Sequence, residues 1–88
     1  MGYRRPPVDV KALGVRLRRL RGVRSGADVV RSLYMKQTFK LTVQHLYVIE
    51  KGQAPNPGLK ILDALVHEYG TTIEFLLYGT KERVAAAR

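Results

Sequence analysis

Apolar residues recur along this chain at helical and not at strand spacing. Val10, Leu13, Leu17 and Leu20 stand at i, i+3, i+7 and i+10, a 3.6-residue period that predicts a helix. Asp9 is placed to cap it, Arg21 lies near its end, and Gly22 stops it. Arg18 and Arg19 face away from this stripe, while Arg16 and Arg21 flank it. Ser25-Gly26-Ala27-Asp28 has the spacing of a capping box. The helix it opens turns Val29, Val30 and Leu33 inward and fades near Lys36, leaving residues 36–40 (KQTFK) as a loop. Thr42 caps a short third helix over Val43–Lys51, closed by Gly52. Its apolar stripe is Leu46 and Ile49, with Val43, Gln44, Tyr47, Val48 and Lys51 lying elsewhere.

QAPNP (53–57) reads as a turn, and Asn56-Pro57 supplies an N-cap followed by a proline at the first helical position. The fourth helix presents Leu59, Leu62, Leu65, Val66 and Tyr69 to the core and stops at Gly70. Thr72 opens a fifth, Ile73–Tyr78, stopped by Gly79. Pro6-Pro7 forces extended backbone, so residues 1–8 form an arm. The tail 80–88 has helix-forming composition but too little length to be stable alone. Five short helices, brief connections and no strand pattern predict a compact all-α domain.

Charge changes the picture. The 88 residues carry a net +9, which points to a polyanionic partner: nucleic acid first, an anionic membrane second. The excess is uneven. Residues 1–24 hold eight basic residues and one acid, net +7; residues 25–55 hold four and two, net +2; residues 56–88 hold four of each. One end of the molecule is built to meet anions and the other is not. Membrane binding by the first helix is weakened because its apolar stripe is needed for the core. There is no cysteine, and the two histidines lie far apart, so neither a disulfide nor a zinc site is expected. No apolar run approaches the roughly 18 residues of a membrane span, and MGYRRPPVDV lacks a signal peptide's apolar stretch. A cytoplasmic protein without metal, cofactor or membrane is expected. Carboxylate pairs, nucleophile–base arrangements and glycine-rich phosphate loops are missing as well, so no enzyme is expected.

Three segments, in order, resemble one family. LGVRLRRLR (13–21), HLYVIEKG (45–52) and NPGLKILDALVHEYGTTIEFLLYG (56–79) are similar to the first helix, the recognition-helix ending and the last two helices of the phage-repressor-like Cro/CI type of helix-turn-helix protein, also called XRE-like. The stretch from Leu33 to Thr42 is longer than that family's tight turn, as in some actinobacterial members. The resemblance implies a lambda-repressor-like five-helix domain over residues 9–79. It also implies a transcriptional regulator, repressor or nucleoid-associated binder of double-stranded DNA that places its third helix in a major groove.

Carried over residue by residue, the resemblance puts Val43, Gln44, Tyr47 and Val48 where bases are read. Gln44 has the discriminating chemistry, since its amide can both give and take hydrogen bonds with adenine. Val43 and Val48 either pack on thymine methyls or belong to the core. Phosphate contacts fall to Ser25, Gly26, Lys36, Lys40, Thr42, His45, Lys51 and Gln53; Gly26 has only its backbone N–H to offer. His45, like His67, also reads as an ordinary surface residue. Arg21 and Glu50 occupy the family's interhelix ion-pair positions. Arg4 and Arg5 of the arm either enter a minor groove or belong to an unattached leader. Phe75 and Tyr78 give the fifth helix surplus apolar surface, which predicts a homodimer through residues 72–88 or else completes the monomer core. The competing reading is an antitoxin or protein-interaction adaptor whose partner face is the neutral fourth and fifth helices.

Overall fold

The structure, a computed structural model, describes residues 8–79; the arm with Arg4 and Arg5 and the tail 80–88 lie outside them. Five helices follow one another: α1 (Val10–Arg21), α2 (Gly26–Gln37), α3 (Val43–Glu50), α4 (Leu59–Tyr69) and α5 (Ile73–Tyr78). The architecture is all-α, with no strand among the described residues. Helix α1 lies against α3 and α5, α2 against α3 and α4, and α4 against α5.

Four of the five helix starts carry the side-chain cap expected of them. Asp9 accepts from the N–H of Lys11 and Ala12 at 3.1 and 3.2 Å. Ser25 accepts from Asp28, Thr42 from His45 and Thr72 from Phe75, at 3.0–3.1 Å. Each satisfies an N–H that the first turn leaves without an intrahelical partner. Gly22, Gly70 and Gly79 stop their helices with positive φ.

The fourth helix corrects the expectation at its start. Asn56 does not cap it: Gly58 is the N-cap, without a side-chain bond, and the helix opens at Leu59. Leu59 is 71% exposed and outside the core. The buried arc centres on Leu65 and takes in Leu62 and Ala64, with Ile61 and Tyr69 packed against its rim. That rotation carries Leu59 to the surface and Glu68 inward, where Arg24 meets it at 2.7 Å.

Two further boundaries shift. Helix α2 runs on through Lys36 and Gln37, because the Gln37 side-chain amide donates to the Ala64 carbonyl at 2.9 Å and ties the last turn to α4. Thr38 then takes the left-handed conformation (φ 52°), and the N–H groups of Thr38 and Phe39 close the helix on Tyr34 and Leu33. Leu41, inside the expected loop, is buried and pins that loop to the core. Helix α3 ends at Glu50, leaving Lys51 as its C-cap.

Buried leucines from every helix, with Val29 and Ile49, fill one core. Leu20 reaches only its edge, and Val10 and Tyr69 are half-buried. At Gly14 a Cβ would run into the Glu50 backbone carbonyl. Only glycine lets the backbones of α1 and α3 approach so closely, and this contact sets where α3 sits.

Candidate nucleic-acid interface

Helix α3 turns Leu46, Ile49 and Glu50 inward. That leaves Gln44, His45, Val48 and the capping Lys51 outward and exposed, with Val43 half-buried. Its start is fixed by Thr42, whose hydroxyl oxygen accepts from His45 and whose own proton is free to be donated. Gln44 therefore stands near the exposed N-terminal end of a capped helix. No exposed residue of α3 is acidic.

Glu50, the one acid on α3, is buried and neutralised. Its two oxygens accept from Arg21 Nε at 2.8 Å and Arg21 Nη2 at 3.0 Å, so the expected ion pair is present in bidentate form. Arg21 also donates through Nη1 to the Arg24 carbonyl at 2.7 Å. The hydrogen bond to Glu50 is the main reason its pKa is raised further. Only 14% of the Arg21 side chain and 4% of the Glu50 side chain are exposed.

Tyr47 is not presented in the same way as Gln44. It is half-buried, and its hydroxyl accepts the backbone N–H of Gly26 at 3.1 Å. The Arg21 guanidinium lies 5.4 Å from the centre of its ring, within cation–π range. A Cβ on residue 26 would come within 2.6 Å of the Tyr47 oxygen, so glycine there makes room for the tyrosine. Two expectations are corrected together. The Gly26 N–H is already engaged and is not offered to a phosphate, and Tyr47 joins α1, α2 and α3 where a base-reading side chain was expected. An aromatic residue facing a helix-start glycine was the available signal, but these residues lie 21 positions apart.

The remaining expected anion contacts divide. Ser25 is exposed at the start of α2, its oxygen engaged as a cap. Lys40 precedes Thr42 and borders a shallow apolar depression of about 300 Å³ lined by Val30, Tyr34, Phe39 and Leu41. Gln53 is exposed just beyond α3, its N–H donated to the Val48 carbonyl at 3.0 Å. Lys36 is exposed in the last turn of α2, and its charge is among the influences that lower the Glu68 pKa.

Sequence reading missed two further contacts. Arg24 pairs with Glu68, whose side chain is 1% exposed. Burial, the largest influence on Glu68, pushes its pKa up; Ser32 and Arg24, with the charges of Arg24 and Lys36, outweigh it and hold the carboxyl below its ordinary 4.5. Glu68 Oε1 and the Ser32 hydroxyl are buried without hydrogen bonds of good geometry. Arg16 donates to the Leu76 carbonyl at 2.8 Å, tying α1 to α5. These partners are 44 and 60 positions apart, and no local pattern announces them.

Among the described residues of α1–α3, the acids are thus engaged: Asp9 as a cap, Asp28 with Arg31, and Glu50 with Arg21. Lys11, Arg18, Arg19, Lys36, Lys40 and Lys51 form no ion pair among the described residues. The same residues contain no cluster able to hold a metal ion and no helix long and apolar enough to cross a membrane. Comparison with protein-family models, curated proteins and solved structures finds no match.

Proposed function

We propose that this protein is a double-stranded DNA-binding regulator of the helix-turn-helix type, with α3 as the element that enters the major groove. The observation that carries the reading is the use of acids inside α1–α3. Every acid there caps a helix or neutralises an arginine, so six cations remain for an external polyanion. Within the same three-helix region, α3 and its C-cap turn Gln44, His45, Val48 and Lys51 outward. Gln44 and Val48 read bases, Gln44 by a paired hydrogen bond to adenine. Lys40, Thr42 and Lys51 hold phosphates, and Ser25 adds a hydroxyl.

A second copy is the partner proposed for α4 and α5. Exposed Leu59 and half-buried Ile73 border an apolar depression with Lys60 and Asp63, on a side of the chain whose charges cancel. Phe75 packs against the core and remains half-buried, as does Tyr78. A dimer through this region, continuing into the tail, gives two α3 helices spaced about 34 Å apart, one turn of DNA.

Titration of a mixed-sequence duplex across salt tests the reading. Five or six phosphate contacts, depending on whether two cations share a phosphate, correspond to a loss of roughly a thousandfold in affinity between about 50 and 200 mM salt. Binding that is absent, or indifferent to salt, overturns it.

A further inference from the structure

Between the C-terminal half of α1 and the end of α3 lies an open cleft of about 290 Å³, lined by Arg18, Arg21, Tyr47, Glu50 and Lys51. We infer that this cleft is a seat for a single phosphate group, gripped by Arg18 and Lys51 together and steered by Arg21. The inference rests on the DNA reading only for the source of that phosphate.

The backbones of α1 and α3 meet at Gly14, and one to two turns further along α1 the same side presents Arg18 and Arg21. The close approach thus fixes the distance between two helices whose cations face one another. The cleft's one carboxylate does not repel an anion, because both Glu50 oxygens accept from Arg21. Those bonds, with the one to the Arg24 carbonyl, take three of the five N–H donors of Arg21. The guanidinium is thereby held in one orientation over Tyr47, with two donors left. Arg18 and Lys51 are exposed and have no acidic partner among the described residues. A cleft containing two free cations, a clamped guanidinium and a neutralised carboxylate has the chemistry for one phosphate. Apart from Tyr47, every residue that lines it is ionised, a lining suited to an anion rather than a neutral ligand.

The shared seat makes a distinctive prediction. Two cations on separate phosphates each contribute roughly 0.9 to the slope of log affinity against log salt; two cations on one phosphate contribute about that much together. In the full chain, the double variant Arg18→Gln, Lys51→Gln should lower the slope for a mixed-sequence duplex by about 0.9. A fall of about 1.8, or none, overturns the shared seat. Both residues are exposed, so an unchanged Tm checks that the fold is retained.

The cleft can also be read without DNA. Inorganic phosphate added at fixed ionic strength should shift the NMR resonances of the Arg21 Nε–H and the Lys51 amide saturably, and the double variant should lose the response. The same two resonances should move when duplex is added. Duplex binding without those shifts overturns the cleft and leaves the DNA reading standing. Phosphate shifts without duplex binding overturn the DNA reading and assign the seat to a free phosphorylated molecule. If neither ligand moves these resonances, the cleft is not a phosphate site.

Discussion

The α1–α3 region and the α4–α5 pair belong to one core but handle charge in opposite ways. In the first, Glu50 is sunk between helices and satisfied at both oxygens by Arg21, while the free cations stay outside. In the second, Glu68 is sunk just as deeply but meets Arg24 through one oxygen, while the other has no hydrogen bond of good geometry. The first pair joins two helices inside the charged region. The second reaches across from the α1–α2 turn to α4 and is less complete. An inward acid paired in this way makes a neutral clamp with its arginine and leaves the field of the outer face to the unpaired cations.

The largest effect should come from breaking the complete pair. Glu50→Gln leaves Arg21 without its carboxylate, and removing one partner of a buried pair costs roughly 3–5 kcal/mol. The lower end is expected because Arg21 retains some exposure and can take up water. Urea denaturation measures the loss, and an unchanged midpoint would show that the pair is not structural. Gly14→Ala comes next. Its Cβ must displace the Glu50 carbonyl, and overpacking of this kind costs about 1–3 kcal/mol. Repositioning α3 should also weaken duplex binding, whereas stability and affinity that both survive would remove Gly14 from its role in setting α3.

The incomplete pair should show itself by pH. Because the Glu68 pKa is lowered on folding, the unfolded chain binds the proton more readily. The contribution is therefore full above about pH 4.5 and is lost as pH falls through the lower folded value. Tyr69 acts at the other extreme. Burial, helped by Glu50, raises its phenol from 10.0 to about 12. The folded state keeps that proton longer, so its contribution is full below pH 10.0 and falls as pH rises towards 12. Thermal melts across pH should show both declines, and Glu68→Gln should flatten the acid one while Tyr69→Phe flattens the alkaline one. Leu59→Ser should have the smallest effect on the monomer, within about 0.5 kcal/mol for an exposed position. Sedimentation should nevertheless show weaker self-association, and an unaltered dimer would free this patch from the interface.

The helices were largely legible because their signals are local. Asp9, Ser25, Thr42 and Thr72 cap as their positions suggest, and Leu13, Leu17, Leu46 and Ile49 point inward as their spacing predicts. The fourth helix misled because Leu59 fits the apolar period as well as Leu62 does; only the distant partner Arg24 explains why the helix is rotated to bury Glu68. At the candidate site, the outward placement of Gln44 and the Arg21–Glu50 pair followed from periodicity and resemblance. The engagement of Tyr47 with Gly26 depends on how α2 crosses α3, which no residue pattern encodes locally. The region beside Arg18 was also missed: a basic residue on an exposed helix face acquires meaning only when Lys51 is brought opposite it.

In the proposed function, α3 reads DNA through a thin specific layer over a broad electrostatic one. Selection of bound sequences from a random duplex pool at near-physiological salt, run in parallel on the unaltered chain and on Gln44→Ala, tests it most directly. The account predicts an enriched motif containing adenine for the unaltered chain. It also predicts that the variant relaxes at one position, with a loss of roughly 1–3 kcal/mol on the best sequence. A variant that selects the same motif with the same strength, or an unaltered chain that retains no duplex at all, would contradict it.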